Sequence, residues 1–463
     1  MYNDGIYGEI KNFALATDLY QIVMAAAYYS SPYHRERKTV GIFEMFVRKM
    51  PNNRSFIMVA GLEQVIQYVL NLRYDDDQIA YLQSLEVLKD VKKEFFDYLR
   101  RFKFNGSLWS VPEGTILFPN EPIMRIEAPI IEAQLLETCI LSIINFQSLI
   151  ATKAARIVLA ASHKPVVEFG SRRAHGPQAG ALAARGAFIG GCVGSSNTLA
   201  GKAFGIPVFG TMAHSFILSH ENELDALREF NNMFPTGFLL VDTYDTVEAI
   251  TKLLRSGIRP YGIRLDSGDL CTLSTETRKL LDNAGCKDTK IMVSGDLNEH
   301  SILKLLAKGA PIDYFGVGTE LSTSRDNPAM NGIYKLVAVK IRNPDKNNSN
   351  YEMLYKSKTS LGKETYPGPK QIARFIENNV LEKDYLILEN EKPPDRCILL
   401  LKKYVENGNS VFEMSSIFEI QKYSWKQIEL LPTALKSLDV EPVLYPVVLS
   451  QKIESLGYPR DPS

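Results

Sequence analysis

The chain has 463 residues, enough for two or three structural units with large buried cores. Its 53 basic and 53 acidic side chains cancel, which argues against a general nucleic-acid or membrane-surface binder and leaves open a local basic site for a small anion. A hydrophobic share of 45% is that of an ordinary globular protein.

Residues 1–105 read as mixed, with helices prominent. VAGLEQVIQYVLNL (59–72) and VKKEFFDYLRRF (91–102) carry apolar residues at helical spacing. Residues 106–130 change to short β-like pieces cut by Pro112, Pro119, Pro122 and Pro129. A long helix rich in Leu, Ile and Ala follows, from about Glu132 to Ser162. From Val166 to Gly318 short apolar runs alternate with helical segments. The runs are VVEFG (166–170), FIGGCV (188–193), IPVFG (206–210), GFLLV (237–241), YGIRL (261–265), KIMVS (290–294) and DYFGV (313–317). Asp245 with Glu248 forms an acidic capping box and Gly257 stops that helix; Asn298 caps the next and Gly309 ends it. Repeated β-then-α units imply parallel strands with crossover helices. About seven such units imply an irregular, incomplete (β/α) barrel, short of the usual eight. After Asn331 β-like segments return (IYKLVAVK, YEMLYK, YLIL), and the last stretch reads as helix and loop.

The expected architecture is therefore α/β in three parts: 1–150, an N-terminal α/β domain whose linker helix starts near 132; 151–330, the barrel-like domain; and 331–463, a region that completes or packs on the first. Cys139, Cys192, Cys271, Cys286 and Cys397 are odd in number, widely spaced and form no CxxC, which reads as reduced thiols rather than a disulfide framework or zinc site. The N-terminus lacks the basic region and apolar run of a signal peptide, and no segment approaches the ~20 apolar residues of a membrane span. A cytoplasmic location is expected.

In such barrels chemistry collects at the C-terminal strand ends. The apolar runs lead into Ser171-Arg-Arg-Ala-His175, Gly194-Ser-Ser-Asn197, Thr211-Met-Ala-His-Ser215, Asp242-Thr-Tyr-Asp245, Asp266-Ser-Gly-Asp269, Gly295-Asp-Leu-Asn298 and Gly318-Thr-Glu-Leu-Ser-Thr323, with Arg264 inside its strand. A phosphorylated sugar would suit this ring. Gly316 and Gly318 allow backbone N–H groups to approach a phosphate, and Thr319 and Thr323 add hydroxyl donors. Asp266 and Asp269 can accept from ribose hydroxyls, hold a Mg²⁺–diphosphate, or simply cap a helix. Arg172 and Arg173 can clamp phosphate or carboxylate, and alternation along a strand end would point only one of them at the site, leaving the other to an ion pair. His214, with a nearby Asp to fix its tautomer, is a candidate nucleophile or base. His175 reads as structural, and His34, His163, His220 and His300 show no metal-ligand pattern.

ATDLYQIVMAAAYY (16–29), EFGSRRAHGP (168–177), GSSNTLAGKAFGIPVFGTMAHSF (194–216), GIRLDSGDL (262–270), MVSGDLNE (292–299), GVGTELSTS (316–324) and NGIYKLVAV (331–339) together resemble the nicotinate phosphoribosyltransferases. The motifs run in family order from about residue 16 to 340. The resemblance implies a barrel-like α/β domain with an N-terminal α/β domain, assembled as a homodimer. It implies that nicotinate displaces diphosphate from phosphoribosyl pyrophosphate to give nicotinate mononucleotide on the way to NAD. ATP hydrolysis would drive the step through a phosphohistidine at His214, with Mg²⁺ as cofactor. By position, Tyr20, reaching from the neighbouring subunit, and Phe169 would sandwich the nicotinate ring. Arg172, Ser196, Thr211 and Arg264 would contact it. Asp266, Asp269, Gly295, Asp296, Gly318, Thr319 and Thr323 would surround phosphoribosyl pyrophosphate, with Asp266 also the Mg²⁺ ligand.

The nicotinamide-using relatives resemble the chain at the same strand ends. They carry an aspartate where Ser196 stands, and a serine can donate to a carboxylate that an aspartate would repel. A non-catalytic phosphate-ligand-binding barrel is opposed by the joint presence of His214, Asp266, Arg264 and Thr211. No nucleic-acid or membrane partner is expected.

Overall fold

The computed structural model describes residues 13–342, 351–438 and 443–456. These fall into two compact units: 149–328 with 436–438 form one, and 13–148, 329–435 and 443–456 form the other.

The first unit holds six strands: β1 (Val166–Glu168), β2 (Gly194–Ser195), β3 (Phe238–Leu240), β4 (Gly262–Leu265), β5 (Lys290–Val293) and β6 (Tyr314–Val317). They lie in the order β2-β1-β6-β5-β4-β3, and every neighbouring pair is parallel. Consecutive residues are buried, as in Val166–Val167, Leu239–Leu240, Ile291–Val293 and along Phe315–Val317. That is the pattern of strands covered on both faces, and it explains their unbroken apolar runs.

Parallel neighbours need crossovers, and helices supply them. They are α1 (Pro177–Ile189), α2 (Thr198–Phe204), α3 (His214–Leu218), α4 (Glu223–Met233), α5 (Thr246–Arg255), α6 (Leu270–Asn283) and α7 (Glu299–Ala307); a short helix α8 (Thr319–Ser322) follows the last strand, β6. Their ends are set locally. Asp245 caps α5 by accepting from the Glu248 N–H at 2.7 Å, and Gly257 follows at φ +83°. Asn298 and Ser301 form a reciprocal capping box on α7.

The sheet departs from the expected barrel in three respects. It has six strands, and among the described residues no sheet closes. FIGGCV is not a strand: the Ala-rich helix that Pro177 opens continues through Phe188–Ile189 and stops at Gly190, with Gly191 at φ +105°. The strand begins directly after that run, at β2 (Gly194–Ser195). IPVFG makes only a one-residue bridge, in which Ser195 donates to the Pro207 carbonyl and Phe209 donates back to Ser195.

The second unit carries a seven-stranded antiparallel sheet in the order Tyr351–Tyr355, Gly332–Arg342, Val40–Val47, Met124–Pro129, Ser107–Ser110, Lys402–Glu406, Asn409–Ser410. Gly332–Arg342 pairs along the whole of Val40–Val47, so the chain that follows the first unit re-enters a sheet begun before it. A four-stranded sheet contains Lys370–Glu377 paired with Val380–Leu388.

Contrary to expectation, one described helix, Glu137–Ala160, is long and apolar enough to cross a membrane by length and composition. Ile140, Ile144, Ile150, Ala154 and Ile157 on it are all buried within the protein, and so are Lys153 and Arg156. It is a core helix.

Candidate active site

The C-terminal ends of four adjacent strands surround a cleft of about 240 Å³. Phe169, Arg172 and Arg173 come from the turn after β1, and Arg264 and Asp266 from the end of β4. Ser294, Gly295 and Asp296 follow β5, while Gly316, Gly318 and Thr319 come from β6 and the turn after it. Three guanidinium groups against two carboxylates make this a site for an anion.

Arg264 is held on three sides. Its Nε donates to Ser294 Oγ at 2.8 Å, Nη1 to Thr211 Oγ1 at 2.6 Å and Nη2 to Asp266 Oδ1 at 2.7 Å. Ser294 Oγ in turn donates to Asp266 Oδ1. The guanidinium carbon lies 5.7 Å from the centre of the Phe169 ring. Burial alone would raise the Asp266 carboxyl, but Arg264, the Ser294 hydroxyl and the nearby His214 outweigh it, and the group is held below its ordinary value. Asp242, at the end of β3, accepts from the Asp266 N–H at 2.9 Å and from Ser267 Oγ at 2.6 Å, which fixes the turn after β4.

Two glycines are required by these positions. Gly295 has φ +94°, and a Cβ there would collide with the Asp266 carbonyl oxygen. A Cβ on Gly316, which also lines the cleft, would lie 2.6 Å from the Phe169 ring, so only glycine there lets the ring take its place. Buried Glu168 braces the same corner, accepting from Ser195 Oγ at 2.5 Å and from the Gly170 N–H. Its burial pushes the carboxyl up, and the two donors pull against that.

His214 is the first residue of α3 and has Nδ1 3.0 Å from Thr243 Oγ1. Its ring partner is thus a hydroxyl and not the expected carboxylate. In the tautomer whose Nδ1–H donates to Thr243, Nε2 would carry the lone pair.

The remaining expected residues divide. Arg172 and Arg173 sit in a 3₁₀ turn rather than a strand end, so alternation does not separate them and both line the cleft. Thr211 reaches the site through Arg264. Asp269 does not join it. Its oxygens cap α6, accepting from the N–H groups of Cys271 at 3.1 Å and Thr272 at 3.4 Å and from Thr272 Oγ1 at 2.7 Å. Thr323 spends its hydroxyl on the Thr319 carbonyl, and Ser196 donates its N–H to the Glu168 carbonyl; neither lines the cleft. Tyr20 belongs to the other unit, 49% exposed on the first turn of helix Leu19–Ser30. Ser294 was missed by sequence reasoning, and Asp242 and Thr243 were named there only as part of the ring of strand ends, with no role given to them. The one available signal was their place at the last residue of an apolar run or directly after it.

A parallel α/β sheet with a cation-rich, aromatic-walled cleft at its C-terminal edge defines an enzyme-like site for an anionic ligand. The comparisons specify it. Models of the nicotinate phosphoribosyltransferase N-terminal domain, family and C-terminal domain match residues 15–145, 165–365 and 394–457. The chain is 41% identical over 448 residues to nicotinate phosphoribosyltransferase pncB2 of Mycobacterium tuberculosis, covering 95% of this chain and 92% of that protein. It is 40% identical over 474 residues to the nicotinate phosphoribosyltransferase of Bacillus subtilis, covering 95% and 93%. The crystal structure of human nicotinic acid phosphoribosyltransferase aligns with a TM-score of 0.80 at 27% identity, over 95% of this chain and 99% of that one. The chain belongs to the nicotinate phosphoribosyltransferase family and is an enzyme.

Proposed function

We propose that this enzyme transfers the phosphoribosyl group of phosphoribosyl pyrophosphate to nicotinate, yielding nicotinate mononucleotide and diphosphate for NAD synthesis, and that ATP hydrolysis is coupled to the transfer through phosphorylation of His214. The observation that carries this reading is the Arg264 fork, locked by Thr211, Ser294 and Asp266 beside the Phe169 ring. A flat aromatic acid needs such a pair: an aromatic face for its ring and a fixed guanidinium for its carboxylate.

Arg172 then stands close to the nicotinate and Arg173 faces the phosphates, with Gly295, Asp296, Gly318 and Thr319 around the phosphoribosyl group. As diphosphate departs, positive charge grows on the anomeric carbon. The Asp266 carboxylate, kept ionised, stabilises that charge while the pyridine nitrogen attacks. Among the described residues no cluster of three metal-binding side chains occurs. Mg²⁺ commonly takes one or two carboxylates plus phosphate oxygens, and Asp266, which meets both of its side-chain partners through Oδ1, fits that role. The ion would supply charge neutralisation of the leaving diphosphate. Tyr20 of a second copy completes the ring sandwich in a homodimer. Its phenol is pushed up to about 12 by burial and by Glu137, so it offers a neutral face. The reaction would take place in the cytoplasm, where the cysteine thiols stay reduced.

Purified enzyme given nicotinate or nicotinamide, each with and without ATP, tests the reading. Nicotinate mononucleotide should dominate and ATP should stimulate its formation. A preference for nicotinamide would overturn the substrate. His214→Ala should abolish ATP-derived phosphoenzyme while ATP-independent transfer persists; phosphoenzyme in that variant would move the acceptor elsewhere.

A further inference from the structure

We propose that Lys153 is a positioning residue for phosphoribosyl pyrophosphate: its buried ammonium ties the loop carrying Gly295 and Asp296 to the loop carrying Gly318 and Thr319. The proposal rests on the reading of those loops as the phosphoribosyl wall of the cleft.

Lys153 lies on the long helix Glu137–Ala160 with its side chain 1% exposed. Its Nζ is 2.6 Å from Glu299 Oε2, 2.8 Å from Asp326 Oδ1 and 3.9 Å from Glu320 Oε2. Glu299 opens α7, three residues beyond Asp296. Glu320 directly follows Thr319, and Asp326 lies further along the same segment. One turn along the long helix, Arg156 Nε takes the other oxygen of Glu299 at 3.0 Å. The two cations outweigh the burial that would raise Glu299, and its carboxyl is held below its ordinary value.

Two of the ammonium's three N–H groups donate, one to Glu299 and one to Asp326, which come from two separate loops, while Glu320 at 3.9 Å is an ion-pair contact only. Neither Lys153 nor Asp326 lines the cleft, so neither touches a ligand in it. Stability is a poor explanation for the cluster, because well-packed apolar residues in place of a buried ion network are often no less stable. What the network fixes is relative position. A Leu or Met at 153 would fill the space but would leave the two loops free to settle independently. Shifts of ~1 Å in groups that hold a substrate can cost on the order of a hundredfold in rate.

Asp326→Asn is the first variant, because the Asp326 side chain is 27% exposed and its neutralisation leaves the Lys153–Glu299 pair intact. The KM for phosphoribosyl pyrophosphate should rise about tenfold, with the KM for nicotinate within about twofold and the melting temperature unchanged. Asp326→Glu should recover part of the loss. Lys153→Met should act in the same direction, and adding Asp326→Asn to it should change little further, since Asp326 positions the loop through the Lys153 ammonium. A normal KM for phosphoribosyl pyrophosphate in Asp326→Asn, or a loss of activity fully matched by its unfolded fraction, overturns the proposal. Thr319→Val separates the two readings. If it raises that KM while Asp326→Asn is silent, the positioning role fails and the site stands. If it too is silent, the assignment of the phosphoribosyl wall fails.

Discussion

Ser294→Ala removes one hydroxyl from the cleft and breaks two bonds at once. Ser294 Oγ accepts from Arg264 Nε at 2.8 Å and donates to Asp266 Oδ1. Both partners are ionised, and a hydrogen bond to a charged group is worth about 1.5–3 kcal/mol when it is not replaced. Arg264 and Asp266 have side chains 11% and 28% exposed, so water recovers part of the loss. About half of the combined value, roughly 1.5–3 kcal/mol, is then lost from the orientation of the pair. At about 1.4 kcal/mol per decade this is a fall of about ten- to a hundredfold in kcat/KM for nicotinate. The fold should survive, because no backbone bond depends on the hydroxyl. Steady-state kinetics with nicotinate varied, run beside a thermal melt, measure both quantities. A variant with wild-type kcat/KM would refute the idea that Ser294 locks the fork. So would a variant whose loss is matched by its unfolded fraction.

Two further outcomes test individual groups. Asp269→Ala should lower stability by about 1 kcal/mol, as the loss of a helix cap does, and leave the KM for phosphoribosyl pyrophosphate unchanged; a raised KM would return Asp269 to the ligand site. In the second unit, burial and then the Asp384 carboxylate push the Glu121 carboxyl well up, against the pull of Arg374, which is bonded to Asp384. A raised value in the folded state means that stability from this group is full below its unfolded value and is lost as pH rises through the folded value. Glu121→Gln carries no such proton, so its melting temperature should match wild type near pH 4 and exceed it near pH 8. Parallel melting curves across that range would show that Glu121 is already ionised in the native protein.

The strand bodies of the first unit were legible because parallel strands buried on both faces need continuous apolar runs, and five of the seven expected runs contain a strand or its start. The order of those strands was not legible, since local sequence says nothing about which parallel neighbour a strand will choose. FIGGCV failed for a local reason: six apolar or glycine residues fit the end of an Ala-rich helix as well as a strand, and the helix was already running. The return of Gly332–Arg342 to Val40–Val47 is a pairing across nearly 300 residues, which no local pattern encodes.

The site divides along the same line, between residue chemistry and backbone geometry. Arg264 and Asp266 were legible because charged groups leaving an apolar strand have few reasons to be there. Asp269 is the same residue type three positions on, yet it faces its own helix: once the chain turns at Ser267–Gly268, with Gly268 at φ +79°, the next carboxylate sits at the N-cap. Arg172 and Arg173 went the other way, because a 3₁₀ turn abolishes the alternation that a strand would impose. Ser294 and Thr243 carry no charge to betray them; each matters only because its hydroxyl can donate and accept at once, and so can bridge or orient groups from different strands. The charged groups of such a cleft announce themselves in sequence, while the hydroxyls that aim them emerge only when the strand ends are brought side by side.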